Sequence, residues 1–383
     1  MRVVLHIGMP KSGTSALQKT LRTNQKLLRQ NGIFYPAGHG LPKNHNLLAT
    51  GFLADDELPR IFAQVYGDTP QRRFADIDAL VGKILRRAGK GGYDTVILSG
   101  ETFFRAFSPE AAARLRETLL RLGAPITIAA YIRDPVKFYL SSTQQGLKAN
   151  SLLPLPTTHR PFRDILETYE RIGDEMTVRL HDRQALHGND ITRDFLAKVV
   201  GADAGLVAAI EPDDANVSFS AEAMDAMQKY RSLAPEENGR FTADSKAVVR
   251  LVREADRHFP GATAPRVHPH IAEQILASAV DAPWLRERWG IAFEGFDYDA
   301  APRGDLAVAR PVRVRDICPV NEDRTTDILC YALRDLAKDR EVEVSFKTAM
   351  PVARPKPEPA GTAAKPRGAK RRLKGWVRRL IRR

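Results

Sequence analysis

The fold is decided by the start of the chain, where residues 3–15 are Val3-Val4-Leu5-His6-Ile7-Gly8-Met9-Pro10-Lys11-Ser12-Gly13-Thr14-Ser15. Residues 1–8 are mostly apolar and predict a buried strand, and small polar residues follow it. Leucines then recur at roughly helical spacing, which predicts a helix over 14–31. A strand, a small polar loop and a helix start together form an anion site, because free backbone N–H groups and the positive end of the helix dipole converge there.

The loop is not a Walker A sequence. A Walker A loop has lysine directly after its last glycine, but here Thr14 follows Gly13 and the loop lysine, Lys11, lies earlier. ATP or GTP hydrolysis is therefore disfavoured. A sulfuryl donor needs less charge neutralisation than a triphosphate, so a lysine beside its bridging oxygen can replace Mg²⁺. The alternative is an ordinary strand-to-helix turn. We predict that a phosphate is bound, without a metal, by Lys11 and by the backbone of Ser12, Gly13, Thr14 and Ser15.

Strands and helices alternate over the first 200 residues. Strands are predicted at 95–98, 126–132 and 176–180, with a short strand or extended turn at 32–36. Helices are predicted at 74–88, 109–122, 135–148 and 190–200. The alternation predicts an α/β fold, a three-layer sandwich with a central parallel sheet and ligands at the carboxyl ends of its strands. Residues 216–290 are mainly helical and are interpreted as a subdomain or cap. A further helix is predicted at 325–338, with a short strand after it.

Most of the positive charge lies at the end of the chain. Residues 351–383 contain twelve Lys and Arg and one Glu, a net charge of +11, which leaves +2 of the total +13 to residues 1–350. A nearly neutral body gives no support to a nucleic-acid-binding fold. Residues 351–369 are rich in Pro, Ala, Gly and Lys and are predicted to be a disordered linker.

Residues 370–383 are predicted to form a basic amphipathic helix. Its apolar stripe runs at i, i+3, i+4, i+7 and i+8 and comprises Leu373, Trp376, Val377, Leu380 and Ile381. Such a helix is suited to lie in a membrane surface, and the alternative is a polybasic tail that contacts nucleic acid without specificity. No run of 18 apolar residues occurs, and the first apolar segment is too short for a signal peptide. We therefore expect a cytoplasmic protein that is peripheral on the inner membrane face.

A second motif follows the strand predicted at 126–132. The chain continues Arg133-Asp134-Pro135, and Ser141 lies eight residues after the arginine. This arrangement brings a guanidinium and a hydroxyl to one edge of the predicted nucleotide site. Arginine binds phosphate in a bidentate manner, so the motif is suited to a second, separate phosphate. The alternative is a surface arginine and a helical serine that faces solvent.

Together the two motifs resemble those of the sulfotransferases that use 3′-phosphoadenosine-5′-phosphosulfate (PAPS). The 5′-phosphosulfate loop of that family is similar to residues 10–15, and its 3′-phosphate motif is similar to Arg133-Asp134-Pro135 with Ser141. The resemblance covers roughly residues 1–295. The glycine-rich RKGxxG loop of the cytosolic small-molecule enzymes is not found, which favours the bacterial or carbohydrate-acting type.

The resemblance implies a P-loop-like sulfotransferase domain over residues 1–300, followed by a C-terminal extension over 301–350. It implies transfer from PAPS without a metal, and it points to a saccharide or glycolipid acceptor. It places Lys11 at the 5′-phosphosulfate, and Arg133 and Ser141 at the 3′-phosphate. Two rival functions remain. One is a nucleotide kinase or NTPase with a divergent phosphate loop, and the other is a non-catalytic, membrane-tethered protein that binds PAPS or the bisphosphate.

A general base is needed, because the acceptor hydroxyl loses its proton as the sulfur–oxygen bond forms. In the cytosolic enzymes a catalytic histidine stands at the end of the strand equivalent to 95–98. Glu101 stands there in this chain, so the resemblance carries the role to Glu101. The alternative for Glu101 is a carboxylate that caps the next helix or pairs with Arg105. His45, in a polar loop where an acceptor could enter, is the second candidate base.

No metal site is predicted. His268 and His270 flank Pro269, but no third ligand is evident in the sequence. Cys318 and Cys330 form no CxxC pair, so neither a disulfide framework nor a zinc site is expected.

Overall fold

The computed structural model describes residues 1–67, 69–157, 161–212, 218–233, 238–262, 264–300 and 308–338. The chain divides into two compact units. Unit 1 comprises Met1–Tyr139, Pro156–Val217 and Ala272–Val308. Unit 2 comprises Leu140–Leu155, Ser218–Ile271 and the described residues from Ala309 onward. The predicted linker at 351–369, the basic helix at 370–383 and the short strand after 338 lie outside the described residues.

A five-stranded parallel sheet forms the centre of unit 1. Its strands are β1 (Arg2–Ile7), β2 (Ile33–Phe34), β3 (Thr95–Gly100), β4 (Ile126–Ile132) and β5 (Glu175–Leu180). Their spatial order is β2-β3-β1-β4-β5, and every neighbouring pair is parallel. The central strand β1 pairs with β3 on one side and β4 on the other. The predicted parallel sheet is confirmed, and the loops after these three strands share its carboxyl edge.

The helices agree with most of the sequence-based bounds to within a few residues. No helix in the described ranges is long and apolar enough to cross a membrane. The α-helices are α1 (Thr14–Thr23), α2 (Gln25–Gln30), α3 (Asn46–Thr50), α4 (Arg60–Tyr66), α5 (Pro70–Gly91), α6 (Pro109–Leu122), α7 (Pro135–Leu147), α8 (Arg163–Ile172), α9 (Ile191–Phe195), α10 (Ala204–Ala209), α11 (Ala221–Ser232), α12 (Ala243–His258), α13 (Pro269–Ala277), α14 (Ala282–Trp289) and α15 (Glu322–Lys338).

The single helix predicted over 14–31 is two helices, α1 and α2, which meet at Asn24. Asn24 has φ −95° and ψ 17°, outside the usual helical range, and its side-chain amide donates to the Thr20 carbonyl at 2.9 Å. Side-chain bonds of this kind compete with helix propagation. The helix expected over 190–200 is continuous, and in it α9 passes directly into a π-helical turn at Leu196–Val200.

Helices cover both faces of the sheet. Alternate residues of a strand point to opposite faces, and in β1 Leu5 and Ile7 belong to one buried cluster while Val4 belongs to the other. The first cluster is completed by α5, α6, α8 and α14, and the second by α1, α9 and α10. Each fully buried Leu or Ile contributes about 1.5–3 kcal/mol, so the two clusters hold the sheet rigid beneath its loops. The helix-flanked sheet agrees with the predicted three-layer sandwich.

In unit 2, α11, α12 and α15 pack on one another. Arg324 of α15 is buried, and its guanidinium lies 3.0 Å from Glu222 Oε2 and 2.8 Å from Asp256 Oδ1. It also donates to Ser220 Oγ at 2.8 Å. One side chain therefore links all three helices.

Candidate functional site at the carboxyl edge of the sheet

The loop after β1 is organised around the carbonyl oxygen of Met9. The Ser12 amide donates to it at 3.3 Å, and the hydroxyls of Ser12 and Thr14 donate to it at 2.7 and 3.3 Å. Both side chains are buried, so these hydroxyls shape the loop. Lys11 and Gly13 have positive φ values of 66° and 78°. Alternation in the sign of φ is typical of a nest, in which main-chain N–H groups converge on an anion.

Two glycines let the loop close against the start of α1. A Cβ atom on Gly8 would lie 2.6 Å from Thr14 Cγ2, and one on Gly13 would lie 2.7 Å from His181 Nε2. Gly13 immediately precedes α1, and no side chain caps the helix there. The first amides of a helix have no intrahelical acceptor, so those of Thr14 and the exposed Ser15 can bind an anion.

Two cationic side chains meet at this loop. Arg133 follows β4, its Nη1 donates to the Lys11 carbonyl oxygen, and its amide lies 3.3 Å from the Met9 sulfur. The Nε atom of Arg133 is buried and has no hydrogen-bond partner among the described residues. Burial lowers the pKa of both Lys11 and Arg133, and the charge of Arg133 lowers the pKa of Lys11 further. Two close cations, one with an unused donor, are arranged to attract an anion.

Glu101 lies within electrostatic range of Lys11. It is the first residue after β3 and is half-buried, and its charge raises the pKa of Lys11 against the larger effect of burial. The chain around it is fixed, because the Thr102 amide donates to Asn46 Oδ1 and the Phe104 amide donates to the Glu101 carbonyl, both at 3.1 Å. The structure therefore brings Glu101 and Lys11 to one edge of the sheet, as it does Arg133.

His45 is buried, and both of its ring nitrogens are occupied. Nδ1 accepts the Ser99 amide at 3.0 Å, and Nε2 donates to the Pro36 carbonyl at 3.2 Å. Burial lowers the pKa of His45 to about 4, although the hydrogen bonds to Pro36 and Ser99 raise it. His45 thus supports the end of β3 and does not stand in an open polar loop. Neither nitrogen is exposed to an incoming acceptor.

In the second predicted phosphate motif, Asp134 has a structural role. Asp134 caps the start of α7, because its Oδ1 accepts the amides of Val136 and Lys137 at 2.9 and 3.0 Å. This cap fixes the turn that carries Arg133. Ser141 lies further along α7, in the part of the helix that belongs to unit 2, and its contact with a 3′-phosphate stays a prediction.

The histidine pair of unit 2 is His268 and His270. The rings of His268 and His270 stack with centroids 5.7 Å apart, and Nε2 of His268 lies 3.0 Å from the Arg315 carbonyl. In the part of the chain that the structure describes, no group of three or more His, Cys, Asp or Glu side chains could hold a metal ion. Both cysteines are free thiols, with Cys318 buried and Cys330 exposed.

Two histidines near the loop were missed by the sequence analysis. His181 follows β5 and contacts the turn at Gly13. His6 lies within β1, its Nδ1 is 2.9 Å from Ser99 Oγ, and its buried Nε2 has no partner among the described residues. His6 could have been singled out as an ionisable residue between the apolar Leu5 and Ile7 of the first strand. His181 could not, because its position beside Gly13 depends on how β5 and α1 pack.

A cavity of about 510 Å³ opens at the carboxyl ends of β4 and β5. Its lining combines the charged residues Asp134, Lys137, Asp182 and Glu294 with the apolar side chains of Leu180 and Phe293. Lys137 and Asp182 form an ion pair. Its volume falls within the range of small-molecule sites, about 300–1,000 Å³. Asp134, which follows Arg133 in the chain, is one of its lining residues.

Comparisons of the chain with protein families, with characterised proteins and with solved structures found no match. Function is therefore inferred from the residues of the site and from their geometry.

Proposed function

We propose that this protein is a sulfotransferase that moves a sulfuryl group from PAPS to an acceptor hydroxyl without a metal. The observation that carries the proposal is the convergence of Lys11, Arg133 and Glu101 beside a loop that ends in an uncapped helix start. Two cations suit the two anionic ends of the donor, and one carboxylate suits the proton of the acceptor. The resemblance of both motifs to the PAPS-dependent family supports the same reaction.

The donor has two separate anionic groups, and each has its own partners. The 5′-phosphosulfate lies at the main-chain amides around Gly13 and at Lys11, where the helix dipole and a cation both attract it. The 3′-phosphate lies at Arg133, with Ser141 as a second contact. Arg133 and Lys11 repel each other, and a bound anion relieves this repulsion. The cavity at the carboxyl ends of β4 and β5 has the volume to hold the nucleoside.

The transfer is a direct in-line displacement. The acceptor oxygen forms a bond to sulfur as the bond between sulfur and the bridging oxygen breaks, and the electron pair leaves with 3′,5′-adenosine bisphosphate. The acceptor proton passes to the carboxylate of Glu101. Lys11 stabilises the negative charge that develops on the bridging oxygen. Glu101 is preferred to His45 as the base, because both ring nitrogens of His45 are hydrogen-bonded within the protein.

Transfer of radioactive sulfur from labelled PAPS to cell-envelope glycans tests the reaction and the acceptor class together. We expect wild-type protein to label a saccharide or glycolipid. Glu101→Gln should lower turnover about 10²–10⁴-fold and Lys11→Ala about 10²–10³-fold. Glu110→Gln, at an exposed position of α6, is the matched control and should keep wild-type turnover.

Each rival function predicts a different result in the same assays. A protein that binds the bisphosphate but transfers nothing from PAPS to any glycan would be the non-catalytic binding protein. A nucleotide kinase or NTPase would need Mg²⁺ for binding and would prefer ATP to the bisphosphate. Wild-type turnover in Glu101→Gln, together with an inactive His45→Ala, would reverse the choice of base.

A further inference from the structure

His181 lies against the start of α1. It is the first residue after β5, and its amide donates to the Ile132 carbonyl at 2.7 Å, which fixes it beside the end of β4. A Cβ atom on Gly13 would lie 2.7 Å from Nε2 and 3.3 Å from Cδ2 of His181. One edge of the imidazole therefore packs on the turn whose amides are the anion site. Only glycine at position 13 leaves room for the ring.

The charged and titratable groups around His181 come from several elements. They are Arg133 after β4, Lys137 in α7, Asp182 next in the chain, and the second histidine, His6, in β1. Burial, followed by the charge of Arg133, lowers the pKa of His181 to about 4. Asp182 and a main-chain hydrogen bond oppose this effect, and Lys137 adds to it. His181 is therefore neutral at pH 7 in the free protein.

His6 does not compete for a proton. Gln18 Nε2 donates to Ser99 Oγ at 3.1 Å, and that hydroxyl is hydrogen-bonded to His6 Nδ1 at 2.9 Å. Complete burial of His6, and to a smaller extent the neighbouring His181, lowers its pKa to about 3. His6 is enclosed in the core, whereas His181 is partly exposed and packs on the Gly13 turn, so His181 is the histidine that can take up a proton there.

We propose that His181 binds the 5′-anionic group of the donor beside Gly13 and takes up one proton from solvent as it does so. The inference rests on the proposed function, since it requires that group at the loop. A bound dianion offsets the repulsion from Arg133 and adds an attraction of its own, so it favours the protonated ring. The imidazolium then donates a charge-assisted hydrogen bond to the ligand. This contribution is present below the pKa of His181 in the complex and is lost as the pH rises through it.

The test is calorimetric titration of 3′,5′-adenosine bisphosphate, without Mg²⁺, into full-length wild type, His181→Gln and His187→Gln. At about pH 5.5 the Kd of His181→Gln should exceed the wild-type value about 10-fold or more, and at about pH 8 by less than about 2-fold. His187 is exposed on the same connection, and His187→Gln should match wild type throughout. In buffers of different ionisation enthalpy, the observed heats give the number of protons taken up per ligand bound. Wild type should take up more protons than His181→Gln, because any protonation of the ligand itself is the same for both proteins.

Equal pH profiles and equal proton uptake in wild type and His181→Gln would overturn the inference and leave the proposed function standing. Failure of wild type to bind the bisphosphate at any pH would overturn the proposed function and this inference with it. A second measurement uses the wild-type protein alone. Titration of its histidine ring protons by NMR gives a result even if His181→Gln does not fold. The pKa of His181 should rise by about 2.5 or more when the bisphosphate is added, which is the rise that a 10-fold effect at pH 5.5 requires, and an unchanged pKa would contradict the inference.

Discussion

Two arginines, Arg324 in unit 2 and Arg133 in unit 1, differ in how completely their guanidinium groups are hydrogen-bonded. Every side-chain nitrogen of Arg324 donates a hydrogen bond: Nε to the Pro260 carbonyl, Nη1 to Glu222 and Nη2 to Asp256. Arg133 donates through Nη1 to a main-chain carbonyl of the phosphate loop, while its buried Nε has no partner among the described residues. The first guanidinium is fully satisfied within the protein, and the second is not.

The difference separates a structural cation from one that is held for a ligand. A buried donor without a partner costs about 1–3 kcal/mol, and a cation beside another cation is further disfavoured. Such an arrangement persists where the surrounding fold imposes it and where a ligand relieves it. Substitutions in the two regions should therefore change different properties, stability in one and ligand binding in the other.

The largest expected effect is on stability. Arg324→Met should lower the free energy of unfolding by about 3–5 kcal/mol, because it leaves the carboxylates of Glu222 and Asp256 buried without their cation. Arg133→Met should change it by about 1 kcal/mol or less, since it removes a poorly paired cation. Urea denaturation of both variants measures the contrast.

Arg250→Met is the control for loss of charge alone. Arg250 is 58% exposed and pairs with Glu254 on the same helix at 3.0 Å, so its removal should cost less than about 0.5 kcal/mol. Equal destabilisation by Arg133→Met and Arg324→Met would contradict the distinction between the two regions.

Acid should weaken unit 1 through its buried histidines. The pKa of His45 is lowered to about 4 by burial, so the unfolded chain binds its proton first as the pH falls below about 6.5. The stability that the neutral ring provides is complete above that pH and is lost as the pH falls toward 4. For His45 alone the loss totals about 3 kcal/mol. Urea denaturation between pH 7 and pH 4 measures it, and stability that is constant over this range would contradict the assigned burial.

A smaller loss of stability is expected when a side chain is added at Gly8 in the phosphate loop. Gly8→Ala would place a methyl group 2.6 Å from Thr14 Cγ2, and the overpacking should cost about 1–3 kcal/mol of stability. Gly8→Ala combined with Thr14→Ser removes the methyl group that is hit and should recover part of the loss. Gly89→Ala is the control, because nothing lies within 4 Å of a Cβ there. Equal midpoints of thermal unfolding for Gly8→Ala and Gly89→Ala would contradict the close approach of Gly8 to Thr14.

The sheet was predictable because its strands are encoded locally. Apolar runs at 95–98 and 126–132 lie between helical segments, and these became β3 and β4 with bounds close to those expected. The same local reasoning placed Glu101 and Arg133 directly after two strands and Lys11 in the loop after a third. Parallel strands have their carboxyl ends at one edge, so the convergence of these residues follows from the topology.

The rest depended on packing that the local sequence does not encode. His45 stands in a polar segment, and its burial arises because its ring closes on Ser99 and Pro36. His181 is adjacent to Gly13 only once β5 has joined the sheet and α1 has packed against it. The break at Asn24 was also missed, because its side-chain bond interrupts a continuous apolar pattern.

The central claim is that Arg133 is held for the 3′-phosphate of PAPS, and competition between two nucleotides tests it most directly. Calorimetry without Mg²⁺ should show wild type binding 3′,5′-adenosine bisphosphate about 10–100-fold more tightly than ADP, which lacks the 3′-phosphate. Arg133→Met should remove most of this preference, while Arg183→Met, at an exposed position of the same unit, should keep it. Equal affinity of wild type for the bisphosphate and ADP would contradict the account.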